Sequence, residues 1–256
     1  MYRLKNPVVI LILVMLIAGS CKKSKKDLSL TAKEYQMKGM PENDKIWSDQ
    51  DYINAHNTLG SLRVSNFLSL PRKHSNKSGA VFSRIINKEN LSFLNDSTIS
   101  LRDKAFRIQY FSSFLNELSR MYTDNLKKEQ YYDEELIDIH IFELFVRKKM
   151  LELAGKIMNS KEKEDISMQS GTKAIVKGYL NLVSAVLREQ VKTEIFPARD
   201  LKRLSMEVSN SLMENLSWIE PADRQKISVE VQNTIDKSPS GSVKKNYGKI
   251  LKLLKE

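Results

Sequence analysis

The chain has 256 residues, with 42 Lys and Arg against 31 Asp and Glu, a formal net charge of +11, and 41% apolar residues. That apolar fraction fills a core, so disorder is not the default for the body of the chain, and only 9 Gly and 6 Pro suit a mostly helical protein with few tight turns. Three histidines and one cysteine leave few parts for metal or thiol chemistry, and nothing in the sequence points to a cofactor.

The first element is an address rather than a fold. Arg3 and Lys5 precede an unbroken apolar run from Val8 to Ala18, then Gly19, Ser20 and the only cysteine, Cys21. The run is about half of the roughly twenty apolar residues needed to span a bilayer, so it reads as a cleaved signal. An exported thiol left unpaired would oxidise or cross-link chains, and conversion to a thioether removes that problem.

At Ile17-Ala18-Gly19-Ser20-Cys21 the chain resembles the bacterial lipoproteins, whose signals end in a lipobox with an invariant cysteine at the new N-terminus. Ala18 stands where that family usually has Leu, and the resemblance covers signal and anchor only. It implies lipidation of Cys21 by acyl chains that anchor the protein stably in a membrane of the cell envelope. The outer membrane is the expected site. In lipoproteins resembling those of Bacteroidetes, surface display tends to need acidic residues just after the cysteine, so their absence here implies, through the resemblance, an anchor facing the periplasm. Ala18-Gly19-Ser20 also fits the small-x-small pattern of the ordinary signal peptidase, which would release a soluble periplasmic protein.

Three segments follow from this reading. Residues 1–20 are the signal peptide, 21–46 a lipidated, lysine-rich tether, and 47–256 an all-α globular domain. The tether opens with Lys22, Lys23, Lys25 and Lys26, either a polybasic clamp on lipid headgroups or a solvated spacer. The basic balance first suggests nucleic acid, but an export signal argues against that partner.

Trp47-Ser48 opens the first helix of the domain, with Ser48 and Asp51 forming an Asp version of the capping box, and Ile53, His56, Leu59 and Leu62 on its apolar face. A polar loop then runs to Gly79. Its residues Arg72, Lys73, His74, Lys77, Ser78 and Gly79 are the candidate anion-binding set, because free backbone N–H groups at a helix starting near Ser78 would join four cationic or titratable side chains. The alternative is a solvated basic loop. The glycines of a Walker A loop are absent.

Ser100 with Asp103 makes another capping box, and Leu101, Ala105, Ile108, Phe111, Leu115, Leu118 and Tyr122 step by threes and fours. The next helix, about 133 to 158, is expected at the centre of the fold. It is acidic at its start and basic in its second half, and an apolar face wide enough for more than one neighbour surrounds it. His140, Glu143 and Arg147 share its polar strip at i, i+3 and i+7, which predicts a surface or rim ion pair. Residues 159 to 170 read as a charged loop.

Further helices are predicted from about Thr172 to Glu194, from Pro197 to Ile219, from Pro221 to Ile235 and from Ser242 onward. The last is amphipathic, with five lysines opposite Val243, Tyr247, Ile250, Leu251 and Leu254. The fold class is therefore all-α, a multi-helix bundle or short α-solenoid of about six to eight helices. Three functional classes stand: a membrane-tethered module that docks another envelope protein, a binding protein for an anionic ligand at Arg72–Gly79, and an enzyme with His56 or His74 as general base. Interaction or binding ranks above enzyme.

Overall fold

The computed structural model describes positions 48, 50, 51, 53, 54 and 57, and residues 70–256 except 77, 130, 131 and 192–195; the side chains of 125–129 and 164 are also left out. The segments expected as signal and tether, with Cys21, and the residues His56 and Lys77 lie outside the described residues. Positions 50, 51, 53, 54 and 57 are helical, and the predicted cap is present: Ser48 N and Oγ both donate to Asp51 Oδ2 at 2.7 Å.

In chain order the helices are α1 (Gly79–Ile85), α2 (Leu101–Glu129), α3 (Asp133–Asn159), α4 (Lys163–Met168), α5 (Thr172–Gln190), α6 (Ala198–Glu214), α7 (Pro221–Lys237) and α8 (Gly241–Lys255). Short 3-10 turns occupy Lys88–Asn95, Gln169–Gly171 and Leu216–Trp218, and no strand occurs among the described residues. Among those residues no helix is long and apolar enough to cross a membrane.

Helices α2 and α3 form a long antiparallel hairpin. Its sense is visible in the ring contacts, with Tyr122 meeting Tyr132 at 5.2 Å near the reversal and Phe111 meeting Phe142 at 5.8 Å farther along. Ser100 starts α2 as its sequence predicts: Asp103 N donates to Ser100 Oγ at 3.0 Å, and Ser100 Oγ to Asp103 Oδ2 at 2.8 Å.

Helix α3 is the hub. It packs on α2, α5 and α6, and Leu136, Ile137, Ile139, Leu144, Val146 and Leu151 are all buried although they point in several directions. A helix apolar on one stripe covers one neighbour; this breadth is what three neighbours require. At the far side α8 packs on both α6 and α7, and α7 packs on α5, where Val208, Leu212, Val231, Tyr247 and Ile250 join the same core. One core spanning early and late helices makes the domain an all-α bundle rather than a stacked solenoid.

Two boundaries differ from expectation for local reasons. The charged run after Asn159 contains a helical turn, α4, held by Ser160 Oγ donating to Asp165 Oδ2 at 2.6 Å and by Gln169 Nε2 donating to Ile157 O at 3.2 Å. The stripe expected to continue to Ile219 leaves the α-helix at Glu214. There Asn215 Nδ2 turns back to Ser211 O at 2.7 Å, and Arg224 donates to the carbonyls of Ile219 and Leu216 at 3.0 and 3.2 Å. Those bonds satisfy a tighter turn in place of more helix.

Candidate functional site

The Arg72–Gly79 loop lies across the acidic first turns of α3, and that helix supplies most of its partners. Lys73 N donates to Glu135 Oε1 at 2.8 Å, Lys73 Nζ pairs with Asp138 Oδ2 at 2.7 Å, and His74 Nε2 meets Glu134 Oε2 at 2.9 Å. The Arg72 guanidinium stacks on the Tyr132 ring at 4.9 Å. Burial raises the Glu135 carboxyl pKa above its ordinary range, opposed by the hydrogen bond from Lys73 N–H.

Within the loop, buried Ser78 accepts from Arg72 N at 3.0 Å, and its own N–H reaches Ser75 Oγ at 3.3 Å. Gly79 N donates to Ser75 O at 2.8 Å, and a Cβ on Gly79 would lie 2.8 Å from Lys73 O, so only glycine lets the loop fold this tightly. The structure thus brings Arg72, Lys73, His74, Ser78 and Gly79 together, but around the protein's own carboxylates. Of the two histidines considered as bases, His74 is exposed and bound to Glu134.

The polar strip of α3 makes a second constellation. His140 is buried rather than at the surface, 2% exposed. Its Nδ1 lies 3.0 Å from Glu143 Oε2 and its Nε2 lies 2.8 Å from Glu189 Oε2 of α5. Burial by itself lowers a histidine pKa, but the hydrogen bonds to Glu143 and Glu189 prevail and raise it from 6.5 to about 9. Ionised carboxylates only accept, so both ring nitrogens carry protons and neither keeps a lone pair for general-base work. The imidazolium instead ties α3 to α5.

One turn on, the Arg147 guanidinium lies against α5 where Gly178 has no side chain; a Cβ there would be 3.0 Å from Nη1. A polar cleft of about 490 Å³ opens beside the cluster, with Asn116, Arg120, Asp124 and Asn181 on its walls. The two glutamates approach opposite nitrogens of the ring, and among the described residues no group of three or more His, Cys, Asp or Glu could hold a metal ion. Sequence spacing paired His140 with Glu143 but missed Glu189, whose place is set only when α5 docks on α3.

No protein-family model, curated protein or solved structure matches this chain.

Proposed function

We propose that the protein is a lipoprotein of the cell envelope, anchored through Cys21, whose helical domain docks another envelope protein at the membrane surface. The observation that carries this reading is the order of charge, apolar run, small residues and sole cysteine over Met1 to Cys21.

Features of the domain support it. The core is filled by the bundle's own side chains, so apolar residues left at the surface, such as Phe106, Met158 and Ile166 at 47%, 48% and 51% exposure, are available to a partner. Helix α8 buries Val243, Tyr247, Ile250 and Leu254 and leaves Lys244, Lys245, Lys249, Lys252 and Lys255 exposed. Those five lysines fall on one arc of the helix. An anionic headgroup layer attracts each by about 1 kcal/mol, and the tether lysines Lys22, Lys23, Lys25 and Lys26 add to the same field.

The carboxylate contacts of Lys73 and His74 weigh against the Arg72–Gly79 loop as a ligand site. The doubly bonded state of His140 weighs against catalysis there.

The test is metabolic labelling with an alkyne fatty acid, followed by mild cross-linking and pull-down from solubilised envelopes. Wild type should carry label and bring down a near-stoichiometric protein partner, and Cys21→Ser should lose both. Label persisting on Cys21→Ser refutes the anchor; labelled protein without a partner refutes the docking role.

A further inference from the structure

A second cleft, of about 510 Å³, lies between α2, α3 and the corner where α4 gives way to α5. Its volume is within the range of small-molecule sites, roughly 300–1,000 Å³. Phe106, Ile108, Met150, Leu153, Met168 and Ile175 make its walls apolar, and Arg147 is the only charged residue that lines it. Gln109, Ser112 and Ser113 add neutral polar groups along the α2 wall.

Arg147 stands between this apolar cleft and the polar cleft beside His140, and lines both. Among the described residues it has no ion pair; its one polar contact is Nη1 to Met150 Sδ at 3.8 Å. It is nevertheless largely withdrawn from water, and that desolvation lowers its pKa against the opposing field of Glu143. Gly178 gives the guanidinium room against the α5 backbone, although glycine inside a helix is about 1 kcal/mol less favourable than alanine. The cation is therefore positioned, poorly hydrated and, among the described residues, without a salt-bridged carboxylate. Lys73, Lys148, Lys149 and Lys226 all have one.

We propose that this cleft binds a fatty-acid-class ligand, an apolar chain along the α2, α3 and α5 walls with its carboxylate on Arg147. A guanidinium offers two parallel N–H donors that match a carboxylate's two oxygens, and one wall charge balances a monoanion. A phosphate dianion would leave charge uncompensated in an apolar cleft. The acyl chains of a lipid anchor are esters or amides and lack the anion, so this site is independent of lipidation at Cys21.

The experiment is displacement of a fluorescent fatty acid from the full chain carrying Cys21→Ser, in detergent-free buffer, with dodecanoate, dodecanol and an apolar peptide with a free C-terminus as competitors. Dodecanoate should displace the probe from a single saturable site, with dodecanol at least tenfold weaker. Arg147→Gln should weaken dodecanoate ten- to hundredfold, as expected for loss of a charge-assisted hydrogen-bonded pair, and Arg147→Lys should recover part of it.

Ala174 lines the cleft from an exposed position, so Ala174→Trp should block binding while Arg147 stays in place. That variant carries the test if Arg147→Gln fails to melt cooperatively. Undiminished dodecanoate binding by Ala174→Trp overturns the proposal, as does no binding by wild type. Equal binding of dodecanol overturns the role of Arg147, and preference for the peptide overturns the ligand class.

Discussion

Raising the pH from 6 to 9.5 should remove about 3 kcal/mol of stability through His140 alone. In the unfolded chain this imidazole titrates near 6.5; in the fold, between Glu143 and Glu189, it titrates at about 9. A folded-state pKa above the unfolded one means that the native state holds the proton more tightly. The stabilisation is complete below pH 6.5 and disappears as pH rises through 9. A difference of about 2.5 units at 1.36 kcal/mol each gives the magnitude. Other charges around the imidazole are Arg147 on α3 and Arg120 and Asp124 from α2, across the same cleft. Urea unfolding of wild type and His140→Gln at pH 6, 7.5 and 9.5 measures the contribution of the His140 cluster, because groups away from it titrate alike in both. Wild type should be the more stable by the largest margin at pH 6, and the gap should close by pH 9.5. A gap that stays constant over that window would refute a charged, doubly bonded His140.

Three further substitutions test the packing. Gly79→Ala should cost about 1–3 kcal/mol in thermal or urea unfolding, since the new Cβ meets the Lys73 carbonyl at 2.8 Å and backbone must move. Phe142→Asp places an unpaired charge at a position 5% exposed beside Phe111 and Phe145, and should abolish the cooperative melt followed by circular dichroism. Gln190→Leu removes both hydrogen bonds to the buried Tyr247 hydroxyl, at 2.7 and 2.9 Å, and should cost about 1–3 kcal/mol; adding Tyr247→Phe should recover most of it in a double-mutant cycle.

What could be read from sequence was what depends on near neighbours. The Ser48–Asp51 and Ser100–Asp103 caps, the stripe of α2 and the wide apolar face of α3 each follow from residues within a few positions, and each is present. Helix α4 was hidden because Lys161 to Asp165 are all charged and only Ile166 and Met168 hint at a face. His140 was misplaced for the opposite reason. Its strip is polar, which on an isolated helix means the surface, but a helix with neighbours on several sides buries its polar strip too. The stabilising partner, Glu189, arrives from another helix. Likewise Glu134, Glu135 and Asp138 complement the α3 dipole in sequence, and only the fold shows them gripping a loop some sixty residues earlier.

The cations of this chain differ in use because they differ in partnership. Displacing Lys73 toward an outside anion would strip a cation from Asp138, whose side chain is 5% exposed, and Arg203 alone would remain beside it. Breaking a fully buried pair costs about 3–5 kcal/mol; here the cost is a part of that, because the Lys73 side chain is 33% exposed and Arg203 stays on the carboxylate. The α8 lysines face water, so their attraction to an anionic surface requires no internal contact to break, but salt weakens it within a Debye length. Arg147 combines the favourable halves of both cases. It has no carboxylate to lose among the described residues and is already shielded from bulk solvent, so an incoming carboxylate gains a strong contact without much further desolvation of the cation. A basic loop conspicuous in sequence is therefore the poorer ligand site, and a single arginine on the hub helix the better one.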